Sequence, residues 1–300
     1  MRVFVTGASG WIGSAVVPDL IAHGHEVVGL ARSAEKARAV AATGAHVLRG
    51  DLDSLDLLRD GARNADAVVH LAFVHDFGNF AESLRKDRAA IAAIGEALED
   101  TGRPFAIASG TLGVLPGHMI TEHDRPDPAT AHPRQQSADA ALALAERGVR
   151  AQVVRLAPTV HGEGDGGFVP VLINTARERK TAGYAGDGAN RWTAVHRSDA
   201  ATVFRLAIEK APAGTVLHAV AEEAVTARKI AEAIGRGLGV PAEPARPEDL
   251  GWIGPMFALD SPASNTITRE LLGWEPVGPT LMEDLEAGHY FNQDRNQGEN

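Results

Sequence analysis

Three glycines near the start of the chain carry the strongest chemical signal. Thr6-Gly7-Ala8-Ser9-Gly10-Trp11-Ile12-Gly13 sets Gly7, Gly10 and Gly13 three residues apart, after an apolar run and before a helical pattern. In that context Gly7 permits a tight turn and Gly10 lets main chain approach a diphosphate without a Cβ clash. Gly13 lets the helix pack closely on the strand. The main chain around Ser9, Trp11 and Ile12 then presents N–H groups and the positive end of a helix dipole to phosphate. Such a turn binds a dinucleotide. The end of the second apolar strand bears on which one. A carboxylate there holds the ribose 2′-OH of NAD(H); here Ala31-Arg32-Ser33 stands instead, with Lys36 close behind. A guanidinium holds a 2′-phosphate through paired hydrogen bonds, which a carboxylate would repel. The pattern predicts NADP(H) in preference to NAD(H), with Arg32 and Ser33 at that phosphate.

Other groupings point to less. His118, His123 and Asp124 form the tightest potential metal cluster, but their spacing matches no zinc pattern, and no metal is expected. His161 and His196 each follow a valine and read as hydrogen-bonding structural residues. Residues 163–167 lack the alternating acidic ligands of a calcium loop. Asp199 reads as a residue at a helix start, with Arg191 or Arg197 as its partner. There is no Gly-x-Ser-x-Gly elbow, which argues against an α/β-hydrolase.

The elements that must position the glycine turn alternate in type. Apolar, β-branched runs at 2–5, 26–30, 46–49, 67–72, 105–108 and 151–156 are separated by helical patterns at 14–23, 34–42, 54–61, 80–99 and 135–147. This alternation predicts an α/β fold, a doubly wound parallel sheet of Rossmann type. Runs with scarcely a polar residue, such as 67–72, fit strands buried on both faces. After Leu156 the texture changes. A glycine-rich loop is expected over 158–169, an extended segment over 190–195, helices over 199–209 and 225–238, and a strand over 215–220 that joins the main sheet. The expected division is 1–160 with 191–221 as the dinucleotide-binding domain, and 161–190 with 222–300 as a smaller C-terminal substrate lobe.

Composition bounds the partners. The absence of cysteine excludes disulfides, thiolate metal sites and cysteine nucleophiles. A formal net charge of −10 argues against nucleic acid, since the only basic run is Arg177-Glu178-Arg179-Lys180. No apolar stretch of about 18 residues and no leader pattern at the N-terminus are visible. A cytoplasmic protein with a small-molecule substrate is expected. The Ala-rich face of 135–147 suits a homodimer seam or an internal packing face in a monomer.

Together with the glycine turn, several further motifs resemble the short-chain dehydrogenase/reductase superfamily, in its extended or atypical branch, the NAD-dependent epimerase/dehydratase family. They are Gly50-Asp51-Leu52, His70-Leu71-Ala72, Arg155-Leu156-Ala157-Pro158, Val160-His161-Gly162, Arg191-Trp192, Val195-His196 with Asp199, and Leu272-Gly273-Trp274 with Pro276. The resemblance implies that Asp51 and Leu52 flank the adenine. It also implies that Leu71, Ala72 and Phe73 line the path to the nicotinamide, and that Pro158 and Val160 approach its carboxamide.

One departure stands out. The family's usual chemistry relies on a Tyr-x-x-x-Lys pair on the helix at 135–147. This chain has two tyrosines, Tyr184 and Tyr290, and no lysine between Lys86 and Lys180. Alignment on Ser137 puts Arg134 at the tyrosine position and Ala138 at the lysine position. The usual Ser/Thr falls near Ser109-Gly110-Thr111. The candidates to supply or orient a proton are His75, Thr111, His118 and Tyr184, the last in a glycine-bounded loop expected to face the cleft. Arg134 keeps its proton at neutral pH but can orient a carboxylate or enolate, or stabilise an oxyanion. The resulting expectation is an NADPH-dependent oxidoreductase that reduces a carbonyl, imine or activated alkene. The alternatives are an epimerase or dehydratase, and an inactive NADP(H)-binding sensor.

Overall fold

The computed structural model describes residues 1–74, 76–127, 129 and 131–292 of the 300. Strands β1 (Arg2–Thr6), β2 (Glu26–Ala31), β3 (His46–Arg49), β4 (Ala67–His70), β5 (Pro104–Gly110) and β6 (Arg150–Leu156) alternate with helices. These are α1 (Gly13–Ala22), α2 (Ala34–Ala42), α3 (Leu55–Arg63), α4 (Phe80–Leu98) and α5 (Gln135–Ala143). The chain continues through β7 (Thr159–His161), α6 (Phe168–Arg179), β8 (Ala182–Ala185), β9 (Arg191–His196), α7 (Arg197–Lys210) and β10 (Thr215–Ala219). It ends with β11 (Glu222–Thr226), α8 (Ala227–Leu238), β12 (Ala242–Ala245), α9 (Gly254–Phe257), α10 (Thr266–Leu272) and α11 (Leu281–Glu286).

Seven strands form the main sheet in the order β10-β6-β5-β4-β1-β2-β3, and every neighbouring pair is parallel. Read from the β3 edge, this is the 3-2-1-4-5-6 order of a doubly wound sheet, extended by β10. The winding reverses between β1 and β4, which opens a crevice at the C-terminal ends of those strands. Alternation along β1 sends Val3 and Val5 into a core with Val16 and Leu20 of α1 and Phe204 of α7. Phe4 enters the opposite core with Leu58 of α3 and Ile91 and Ile94 of α4. Helices therefore cover both faces, which explains the apolar strand sequences.

Local signals account for most boundaries. Ser33 caps α2, its hydroxyl accepting the Lys36 N–H at 3.2 Å. Gly148, at φ +72°, ends the segment that begins as α5 and tightens to a 3₁₀ turn over Leu144–Arg147. The second half departs from the expected pattern in three places. Thr159 and Val160 lie in the stretch expected to be loop, yet they pair with Ala194 and Val195 of β9 to make β7. Val225 and Thr226 extend β11, so the helix expected from Val225 begins at Ala227, with Thr226 as its cap. β-branched residues favour the strand at both sites. The stretch 191–221 also divides: β9 joins a three-stranded sheet ordered β11-β9-β7, while α7 and β10 complete the main sheet. A two-stranded β12-β8 sheet and a third core around Trp192, Ile230, Phe257 and Leu285 build the smaller lobe. No helix among the described residues is long and apolar enough to cross a membrane.

Candidate active site

The glycine turn lies at the crevice between β1 and β4. Gly7 adopts φ +68°, in the left-handed region. A Cβ there would lie 2.6 Å from the Ala72 nitrogen, and one on Gly13 would lie 2.1 Å from the Gly7 carbonyl oxygen. Gly10 is exposed and donates its N–H to the Gly7 carbonyl at 2.9 Å. The turn is thus pressed against β4 on one side and bare of side chain at Gly10 on the other. This main-chain cradle at a helix start fits a diphosphate. Ser9 and Ile12 are half-buried around it. The Trp11 side chain is directed elsewhere: Nε1 donates to the Val160 carbonyl at 2.8 Å, and the Arg197 guanidinium lies 4.5 Å above the ring. Trp11 therefore ties the cradle to β7, and half-buried Pro158 and Val160 follow beside it.

A relay absent from the sequence reading fixes the end of β4. Thr6 Oγ1 accepts the Ala72 N–H at 3.3 Å and lies 2.8 Å from His70 Nδ1, while His70 Nε2 lies 3.2 Å from Asp87 Oδ1 on α4. One direction of donation satisfies every atom: Ala72 N–H to Thr6, Thr6 hydroxyl to His70, His70 Nε2–H to Asp87. Burial pushes the Asp87 carboxyl up, but the hydrogen bond and charge of His70, with Ser137 and the Arg134 charge, together outweigh it and hold the group below the ordinary carboxylate range. Leu71 adds an N–H bond to the Thr6 carbonyl at 3.2 Å, so 71–73 run across the end of β1. Histidine, aspartate and threonine are common enough that only their convergence from three elements marks them.

Arg32 is exposed at the tip of β2, in no ion pair among the described residues. The Ser33 hydroxyl is committed to its cap. Asp51 is exposed, and its Oδ1 accepts the Ser54 hydroxyl at 2.9 Å, which shapes the turn before α3; Leu52 is buried in the core beside that turn.

Arg134 is half-buried just before α5, its guanidinium 4.0 Å above the Phe73 ring and Nη2 3.5 Å from the Ala108 carbonyl of β5. Burial pulls the guanidinium below its ordinary pKa, and Asp87 offsets part of that pull. Neighbouring His132 is lowered by burial and by the Arg134 charge, and it packs edge-on against Phe80. Phe73, Phe80, His132 and Arg134 thus form one wall at the C-terminal end of β5, where Ser109 is half-buried and Gly110 exposed.

Other sequence candidates are placed differently. Thr111 has no exposed surface; its hydroxyl lies 3.2 Å from that of Thr193 and 3.4 Å from the Leu156 carbonyl, so it joins β5 to β9 rather than facing a substrate. Tyr184 lies in β8 instead of a cleft-facing loop, because Ala182–Ala185 pair with β12. Its ring is 6% exposed in the lobe core, beneath the Arg228 guanidinium at 5.1 Å. His118 is exposed, with Nδ1 3.2 Å from the Pro116 carbonyl. His75 lies outside the described residues. Asp199 pairs with neither Arg191 nor Arg197: it accepts the Val277 and Gly278 N–H groups at 3.1 and 2.9 Å, while Arg191 takes Asp260 through two bonds of 2.8 and 2.7 Å. His161 and His196 are structural, the first 2.6 Å from Asp284 and the second capping α7.

Residues 3–220 match the model of the NAD dependent epimerase/dehydratase family. The chain belongs to that family. Among its relatives, an uncharacterized protein of Schizosaccharomyces pombe is 43% identical over 295 residues, covering 97% of this chain and 100% of the relative. A 4-hydroxy-2-methyl-3-oxo-4-farnesyl-3,4-dihydroquinoline-1-oxide ketoreductase of Stigmatella aurantiaca is 27% identical over 251 residues, 81% of this chain and 75% of that protein. The solved structure of MoeE5 in complex with UDP-glucose and NAD superimposes with a TM-score of 0.77 at 25% identity, over 98% of this chain and 99% of that one. The family resemblance and the doubly wound sheet read from the sequence are both borne out. Within that family, α5 of this chain carries neither tyrosine nor lysine.

Proposed function

We propose that the protein is an NADPH-dependent reductase acting on a polarised C=O, C=N or activated C=C bond of a small organic substrate. The observation that carries this reading is the glycine cradle at the β1/β4 crevice, with exposed Arg32, in no ion pair among the described residues, at the tip of the neighbouring strand. The ketoreductase and the NAD complex named above support nicotinamide redox chemistry in this fold. When bound, the dinucleotide supplies a hydride, with its two electrons, to the electrophilic carbon. The chain's own residues do the rest. Gly7, Gly10 and Gly13 hold the diphosphate, Arg32 the 2′-phosphate, and Leu71, Ala72 and Phe73 guide the nicotinamide half along the path that the Thr6–His70–Asp87 relay fixes. By the alignment on Ser137, Arg134 falls at the position of the family's usual proton donor, and a guanidinium that keeps its proton at neutral pH stabilises negative charge without releasing it. The proton that completes the reduction comes from solvent water at this half-open wall. Epimerase chemistry needs a group that takes and returns a proton in each cycle, and an arginine there favours one-way reduction.

Titration of intrinsic fluorescence with NADPH and NADH tests the coenzyme assignment. NADPH is expected to bind at least about tenfold more tightly, and Arg32→Asp to reverse the preference. If affinity for both coenzymes is unchanged in Arg32→Asp, the 2′-phosphate assignment fails. If neither coenzyme is retained by the parent protein, the reductase reading fails with it.

A further inference from the structure

Several partly buried arginines of this chain are satisfied by acids or carbonyls. Arg205 pairs with Asp19 and Glu209 at 2.9 and 3.0 Å. The Arg103 guanidinium donates to four main-chain carbonyls and that of Arg150 to two. Arg134 differs. It is half-buried and desolvated, and its side chain makes one long 3.5 Å contact to a carbonyl and no ion pair among the described residues. Asp87, whose charge offsets part of the effect of burial, is hydrogen-bonded to His70 and makes no ion pair with Arg134. Neighbouring His132 adds no negative charge. An under-neutralised guanidinium in a partly dry wall is costly unless a ligand completes it, and its planar fork matches a carboxylate.

The ligand's anion is not the coenzyme diphosphate. That group belongs at β1, two strands from β5 in the sheet order, or about 10 Å away at ordinary strand spacing. Arg134 instead occupies the place where the reducible bond is protonated in the family's usual chemistry. The anion and the reducible bond must therefore be neighbours in one molecule.

We propose that Arg134 anchors a substrate carboxylate, and that the site takes small organic acids whose reducible C=O or C=C is conjugated to that carboxylate. This rests on the reductase reading, but its test does not depend on turnover. Four 2-oxo and 2-enoic acids, phenylglyoxylate and cinnamate among them, are titrated by calorimetry beside their methyl esters. The protein is the parent chain, Arg134→Lys or Arg134→Gln, each with and without saturating NADP⁺. At least one acid is expected to bind the parent protein at least about tenfold more tightly than its ester. Arg134→Gln removes that difference while leaving the ester unmoved, and Arg134→Lys retains part of it. Thermal melts within a few degrees of the parent (about 2–4 °C per kcal/mol for a chain of this size) establish that the variants fold. The proposal is overturned if no acid binds, if acids and esters bind alike, or if Arg134→Gln keeps the acid preference. Loss of NADP⁺ binding with the acid preference intact would count against the reductase reading alone.

Discussion

The residues nearest the end of β5 constrain which groups there could release a proton. Arg134 and the buried Thr111 hydroxyl are fixed as a charge and a structural bond respectively. Away from the cleft, buried histidines set how the protein responds to acid. His218 is fully buried, with Nδ1 2.7 Å from the Ser264 carbonyl, and burial pulls its pKa down to about 4. Burial also lowers His161. An unfolded histidine titrates near about 6.5. Below that value the unfolded chain binds a proton that the folded chain refuses. The stabilising contribution is therefore complete above about pH 6.5 and is lost as pH falls toward the folded pKa. Urea unfolding is expected to give a lower midpoint at pH 5 than at pH 7, with a smaller gap in His218→Gln. An equal gap in the variant would remove His218 from this account.

Among the elements, the β1–α1 unit leaves little room for an added side chain. Its two ends are held by different means: close approach at Gly13, and a tether from Trp11 to β7. A methyl group on Gly13 would meet the Gly7 carbonyl at 2.1 Å, so α1 must move away from the turn. Gly13→Ala is expected to lose stability by about 1–3 kcal/mol and NADPH affinity by at least about tenfold. Gly166→Ala, where an added Cβ meets nothing within 4 Å, is the control and should retain both. Unaltered NADPH affinity in Gly13→Ala would mean that the turn does not hold the diphosphate.

Across the whole molecule, the C-terminal segment folds back to secure the bridge between sheet and lobe. Asp284 of α11 takes His161 of β7 at 2.6 Å, and the Tyr290 hydroxyl donates to Asp165 at 2.9 Å while accepting the Gly162 N–H at 3.2 Å. Since Trp11 bonds the Val160 carbonyl in the same strand, the C-terminus and the phosphate cradle share β7. Asp284→Ala leaves the buried His161 imidazole without its hydrogen-bond partner and is expected to cost about 1–3 kcal/mol. NADPH affinity should fall with it. A variant that loses stability yet binds NADPH as the parent does would show the two halves to be independent.

The sequence alone determined what depends on near neighbours along the chain. Glycine spacing between a strand and a helix specified the cradle, because only residues without a Cβ allow those approaches. Alternating apolar runs and helical patterns specified the parallel sheet, because strands buried on both faces must be apolar throughout. Tertiary structure decided what depends on convergence. Thr6, His70 and Asp87 come from three elements, so no local pattern marks their relay. Tyr184 and Thr111, chosen for their chemistry, were withdrawn from the cleft by pairing with β12 and by contact with Thr193. Arg134 was visible as a departure from family pattern, but only packing showed a desolvated cation in no ion pair among the described residues, since pairing depends on which distant carboxylates the fold brings near.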